Sequence, residues 1–228
     1  MIVTAHQPAY LPWLGYIEKI MRSDIYVFLD AVQFEKNSFT NRNKIKTPQG
    51  PIWLTVPVIS KGHIGSTMME LMIDKRGSWQ RKHLNAISLN YKKAPYYEEI
   101  IEKIKPFYLN DYETLVDFCF DYTKFWLKEL NINTKIVRFS ELKIQSEKSD
   151  LVFDVCQKLK ADTYISGALG KGYLEEEKFF ANGIKVIYQD YKPREYPQLW
   201  DSEFLPYMSI LDFVMNTKDY SLITGKEE

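Results

Sequence analysis

His6 and Asp30 are the first residues of the chain suited to moving a proton, and each follows a short apolar run, Ile2-Val-Thr-Ala and Ile25-Tyr-Val-Phe-Leu. A histidine placed there can act as acid or base near neutral pH or hydrogen-bond a phosphate oxygen; the alternative is a cap on the turn that follows. Asp30 would be costly to bury without a partner. Its candidate roles are general base toward an amine or hydroxyl, Mg2+ ligand, or ion partner of Arg42. Around these two the first fifty residues gather Gln7, Tyr10, Trp13, Gln33, Asn41, Arg42, Asn43 and Lys44. Asn41-Arg-Asn43 sets a guanidinium fork between two amides, a chemistry suited to phosphate or carboxylate, against the reading of a solvated loop. A second candidate is Ser166-Gly167-Ala-Leu-Gly-Lys171-Gly, a glycine-rich turn between a strand and a helix, where main-chain N–H groups and Lys171 could hold an anion. It has neither the Walker A spacing nor G-x-G-x-x-G, and its glycines could simply turn the chain.

Other chemistries recede. His6, His63 and His83 show no helical i, i+4 pairing and no nearby cysteine or paired acid, so no zinc site is expected. Neither a G-x-S-x-G elbow nor a Cys–His arrangement is present. Cys119 and Cys156 read as buried free thiols of a reducing compartment. Lys plus Arg equals Asp plus Glu at 30 each, a balance that argues against nucleic acid or an anionic membrane as partner. The start of the chain lacks the basic and apolar regions of a secretory signal, and no run approaches the ~18 apolar residues of a membrane span. The expectation is a soluble, cytoplasmic protein.

The elements that must position the candidates follow from periodicity. Residues 2–5 read as a buried strand, 14–22 as a helix and 25–30 as a central strand, a β-α-β opening whose parallel pair gathers functional residues at the carboxyl ends of its strands. Residues 33–50 read as a polar, basic loop, 53–58 as an edge strand limited by Pro57, and 70–74 as a further short strand. Ser78 is the expected N-cap of a helix reaching about residue 93, and 95–131 read as helical. Strands at 135–139, 162–166 and 185–188 then alternate with helices at 149–160, 173–182 and 209–215, the second closed by Gly183. The whole predicts one α/β domain over 1–228, a mostly parallel sheet flanked by helices, with a helical insertion at about 78–131. Aromatics make up 15% of the chain. Phe118, Tyr122, Phe125 and Trp126 fall on a helical stripe and belong to the core, whereas Tyr10, Trp13 and Tyr16 are expected to wall a polar pocket beside His6.

His6-Gln-Pro-Ala-Tyr-Leu-Pro-Trp-Leu-Gly-Tyr, Ser23-Asp-Ile-Tyr-Val-Phe-Leu-Asp-Ala-Val-Gln33-Phe and Asn41-Arg-Asn-Lys-Ile together resemble the WbqC-like family of bacterial proteins, as do Tyr164-Ile-Ser-Gly, Tyr196-Pro-Gln and Ser209-Ile-Leu-Asp-Phe. The likeness covers nearly the whole chain. Members commonly lie among surface-polysaccharide or O-antigen genes, which implies a part in making or modifying an unusual sugar. The opening is also similar in layout to the nucleotidyltransferase and pantothenate-synthetase superfamily, which binds ATP through H-x-G-H; here Gly15 is followed by Tyr16 instead of histidine. Together these imply an enzyme that modifies a nucleotide-linked amino sugar by amide formation with an amino acid or acyl group. No cofactor is fixed by this reading; ATP with Mg2+ stays open, as does a homo-oligomer. In that reading His6 and Lys171 neutralise phosphate, Arg42 holds an anionic group and Asp30 takes the proton of the attacking amine. The rival is a non-catalytic protein that binds a sugar nucleotide or glycan by aromatic stacking.

Overall fold

Five residues, Ile2–His6, form β1, and their apolar character is explained by neighbours on both edges. β1 pairs in parallel with β2 (Ile25–Phe28) on one side and with β6 (Thr163–Ser166) on the other. The computed structural model, which describes residues 1–34, 38–59, 67–200 and 203–225, extends this core to five parallel strands in the order β5-β2-β1-β6-β7. β5 is Lys135–Arg138 and β7 is Lys185–Tyr188. In chain sequence these are the third, second, first, fourth and fifth strands of the sheet, the doubly wound order in which a crevice opens beside the first strand. The expected α/β class and mostly parallel sheet are therefore observed. Thr4, fully buried within β1, donates its hydroxyl to the Ile165 carbonyl at 2.7 Å, so the sheet interior leaves this polar group satisfied.

Alternate residues of β2 divide between the two faces. Tyr26 and Phe28 join the core formed with α1 (Leu14–Met21), α2 (Trp79–Tyr91), α3 (Tyr97–Leu109), α4 (Leu115–Glu129) and α7 (Ile210–Asn216). Ile25 and Val27 face the other core, with Val3, Ala5, α5 (Lys148–Lys158) and α6 (Glu176–Ala181). This period-two division is what a strand covered on both faces requires. Gly183, at φ +73°, ends α6 in the left-handed conformation that favours glycine.

Three expectations are corrected. Within the stretch 33–50, Arg42–Thr47 is not loop but strand β3, paired antiparallel with β4 (Gly50–Thr55). Its polar side chains hide an alternation in which Asn43 and Ile45 are buried while Arg42 and Lys44 keep partial exposure. β4 accordingly begins at Gly50 and stops before Val56-Pro57, instead of spanning 53–58. Residues 70–74 do not make a strand. One 3-10 turn, Met68–Glu70, leads into lone bridges from Met72 to Thr114 and from Ile73 to Val58, because each residue meets a different neighbour. Ser78 does hold the N-cap position of α2, but its side chain makes no capping hydrogen bond. Residues 95–131 are two helices, the second capped by Thr114, whose hydroxyl accepts from the Asp117 N–H at 3.1 Å.

The carboxyl-terminal segment is tied to this framework by a buried polar hub. Asp212 accepts hydrogen bonds from the Tyr91 hydroxyl at 2.7 Å, the Tyr196 hydroxyl at 2.8 Å and the Gln198 amide at 2.7 Å. Lys46, almost fully buried, donates to the Gln198 side-chain oxygen at 3.1 Å, and its main-chain N–H donates to the Tyr91 hydroxyl. Burial raises the Asp212 pKa above the usual carboxylate range, against the pull of these donors and of the Lys46 charge. Replacing Asp212 by alanine strands three buried donors, so Asp212→Ala is expected to cost about 3 kcal/mol or more in urea unfolding, and Asp212→Asn less.

Candidate functional site

At the carboxyl ends of β1 and β6 the chain leaves the sheet in opposite directions. β1 continues to β2 through α1 on one face, and β6 continues to β7 through α6 on the other. A crevice at this switch point is where open α/β sheets hold ligands. His6 and Gln7 border it from β1, and Ser166 and Gly167 from β6.

The residue that stands out there is Lys19 of α1. It is only 2% exposed, yet its ammonium has a single hydrogen-bond acceptor, the Ala5 carbonyl at 3.1 Å, and no carboxylate within ion-pair distance among the described residues. Gly167 lies beside it, so that a Cβ at that position would sit 4.0 Å from the Lys19 Nζ. Burial pulls the Lys19 pKa down from 10.5 to about 7, opposed by the charge of Glu18. An ammonium carries three N–H donors, and one of them has an acceptor here among the described residues.

His6 faces this charge. Its Nδ1 lies 2.9 Å from the Gln7 carbonyl, which can only accept, so Nδ1 carries the proton and Nε2 presents a lone pair. Burial, and then the Lys19 charge, lowers the His6 pKa to about 3. The imidazole is therefore neutral at physiological pH, which does not suit the expected part in neutralising phosphate; the positive charge beside it is that of Lys19. Tyr16 meets the ring edge-on at 4.9 Å and hydrogen-bonds Tyr26, whose hydroxyl donates to the His6 carbonyl at 3.3 Å.

The remaining candidates fall in different places. Asp30 is fully buried and accepts from the Ser140 N–H at 2.9 Å and hydroxyl at 2.8 Å; its cation is Arg138 at 3.7 Å, not Arg42. With both oxygens engaged it ties β2 to the end of β5. Tyr10 is not a pocket wall but core: its hydroxyl meets His83 Nδ1 at 2.7 Å and the Tyr108 hydroxyl at 2.8 Å, and burial lowers the His83 pKa to about 4. Tyr16 is likewise buried, which leaves Trp13, half-buried against Tyr191 and Tyr207. Asn41 donates to the Val56 carbonyl and Asn43 to the Leu11 carbonyl, so both amides hold the hairpin in place. Arg42 and Lys44 lie over the Trp53 ring at 4.4 and 5.0 Å. Gln33 is exposed and bridges to Thr67. Ser166 is buried and donates to the Gly167 carbonyl; a Cβ on Gly170 would fall 1.9 Å from its oxygen, so that glycine is required for close approach. Lys171 is exposed over the Tyr188 ring, and the first turn of α6 carries Glu176 and Glu177. His63 lies outside the described residues.

The structure thus brings together His6, Gln7, Ser166 and Gly167 from the expected set and adds Lys19. Sequence reading missed Lys19 because a lysine between Glu18 and Arg22 looks like the wet face of a helix. In fact α1 is buried from Leu14 to Ile20.

A depressed lysine has a definite signature. Lys19 binds its proton more weakly folded, at about 7, than unfolded, at 10.5, so the unfolded chain holds more protons between these values and stability rises with pH across that window. The gain is at most about 1.4 kcal/mol per pH unit. Urea midpoints measured at pH 7 and pH 9 are expected to rise in the native protein, and Lys19→Met to raise stability at pH 7 while flattening that rise.

The WbqC-like protein family model matches residues 7–223. An uncharacterized protein of Mycobacterium tuberculosis is 33% identical over 219 residues, covering 92% of this chain and 91% of that protein. No solved structure matches significantly. No helix among the described residues is long and apolar enough to cross a membrane. With a match that runs from Gln7, just after β1, through the Asp212 hub, the chain belongs to the WbqC-like protein family.

Proposed function

We propose that this protein is a cytoplasmic enzyme of bacterial surface-polysaccharide biosynthesis that acylates a nucleotide-linked amino sugar, forming an amide with an amino acid or other acyl group. The observation that carries the reading is Lys19: a buried ammonium with one acceptor, placed at the switch point beside a neutral histidine. Keeping such a group costs stability that an anionic ligand would recover. A diphosphate supplies the missing acceptors, and the main-chain N–H groups after β6 lie on the same crevice.

In this reading the sugar amine attacks the acyl carbon, the bond to the leaving group breaks with its electron pair, and the amine proton passes to the leaving group, while His6 Nε2 accepts a hydrogen bond from the amine N–H and orients it. Asp30, already bound to Ser140 and Arg138, positions the ends of β2 and β5 instead of taking that proton. ATP would supply the driving force if the acyl donor is a free acid. Among the described residues no cluster of His, Cys, Asp and Glu is placed to hold Mg2+, so no step is routed through the metal.

The test combines binding and turnover. Native protein is incubated with a nucleotide-linked amino sugar, candidate acids and ATP, following pyrophosphate release and the amide product by mass spectrometry. Lys19→Met is expected to weaken nucleotide-sugar binding tenfold or more, and His6→Ala to leave binding in place while lowering turnover about 100-fold. Tight binding without turnover for every acyl donor would instead make the protein a sugar-nucleotide-binding module.

A further inference from the structure

The hairpin of β3 and β4 is a two-stranded sheet separate from the main one, and its two edges are treated differently. In an antiparallel ladder alternate residues turn both main-chain groups toward the partner strand, and the residues between them turn both away. On β3 the outward groups are used: the Lys46 N–H donates to the Tyr91 hydroxyl at 2.9 Å, and the Lys44 carbonyl accepts from the Ser209 N–H at 3.1 Å. Lys46, Lys44 and Arg42 pair with Pro51, Trp53 and Thr55, so these three turn their main-chain groups outward on β4. There the Trp53 N–H and carbonyl, the Thr55 N–H and the Pro51 carbonyl have no hydrogen-bond partner among the described residues. The strand is open to solvent at Pro51 and Thr55, with Ile52 39% and Trp53 42% exposed.

Such edges are ordinarily guarded by charge, by proline or by a covering segment, because their free main-chain groups pair with any strand of the right pattern. Gly50-Pro-Ile-Trp-Leu-Thr55 has no charged side chain and a single proline near its start. Its own donors and acceptors set what fits it. Laid antiparallel on a second β4 with Trp53 opposite Trp53, the strand exchanges both Trp53 hydrogen bonds, and the Thr55 N–H of each copy meets the Pro51 carbonyl of the other. The donor this ladder lacks is the Pro51 N–H. The acceptor it would have served, the Thr55 carbonyl, is engaged within its own chain by His83. In the same register Ile52 stands opposite Leu54, and two indoles meet at the axis, apolar pairs of the kind that stabilise neighbouring strands. Arg42 and Lys44, which lie over Trp53, are carried on β3, and the two β3 strands would be three strand spacings or ~14 Å apart, beyond the ~8 Å over which exposed charges act.

We infer that β4 is an interface between two copies of this chain, joined by antiparallel pairing about Trp53 into one four-stranded sheet. The pairing is independent of the chemistry proposed for the crevice.

Sedimentation velocity of the native protein over a range of concentrations is expected to show a monomer–dimer equilibrium. Trp53→Glu, which sets two carboxylates face to face, and Thr55→Pro, which deletes an N–H that the monomer does not use, should each raise the concentration of half-dimerisation tenfold or more; urea midpoints check that both variants remain folded. The register has a readout of its own. Opposed residues of a hydrogen-bonded pair lie ~5.5 Å apart at Cα, within reach of a disulfide, whereas the two Thr55 positions would lie ~14 Å apart. Trp53→Cys under mild oxidation is therefore expected to give a covalent dimer at least tenfold faster than Thr55→Cys. A native protein that stays monomeric up to about 1 mM overturns the inference and leaves the edge to an extended segment of a different protein. A dimer that both Trp53→Glu and Thr55→Pro leave intact overturns it as well, as does equal cross-linking at the two positions.

Discussion

Every other strand of the sheet takes its place from β1. Because Ile2–His6 is paired in parallel on both edges, residues near the amino terminus lie beside residues some 160 positions later, Val3 against Tyr164 and Thr4 against Ile165. Parallel strands cannot be joined by a tight turn, so helices must cross over, and here they cross on opposite faces. That divergence opens the crevice. The same pairing brings the Lys19 ammonium, carried on the first crossover helix, up to Gly167 at the end of β6.

Two buried lysines show how differently the fold treats charge. Lys46 and Asp212 belong to a network in which Tyr91, Tyr196 and Gln198 complete one another, and a fully satisfied polar network fixes one arrangement of the segments it joins. It joins the β3–β4 hairpin, α2 and α7. Lys19 has no such company, and burial shifts its titration to about 7. Completed charge reads as architecture. Incomplete charge at the sheet's switch point is the ground for the proposed anion site.

The aromatic residues divide along the same line. Tyr10, Phe118 and Tyr122 interlock with Trp79 and Tyr108 among the helices, and the hydroxyls of Tyr10, Tyr16 and Tyr26 find partners inside the core. The buried hydroxyls of Tyr122 and Tyr191 have no such partner among the described residues. Aromatic content therefore reflects mainly the thick helical layer over one face of the sheet.

Local pattern was enough to place β1, α1, β2 and the later alternation of strands and helices, since apolar period and capping chemistry act over a few residues. It was enough for His6, Ser166 and Gly167, which sit where strands stop. It failed at Arg42–Thr47, where long polar side chains mask a strand's alternation, and at 70–74, where bridges to two separate segments replace a ladder. The resemblance carried by Tyr196, Gln198 and Asp212 was legible as a pattern, but their work as a buried hub was not. Only the tertiary structure decided that Asp30 belongs to Ser140 and Arg138, that Tyr10 is core, and that Lys19 is buried with one acceptor. Each of these depends on partners far apart in sequence or on which face of α1 the sheet covers, and neither burial nor a pKa near 7 leaves any trace in the spacing of residues along the chain.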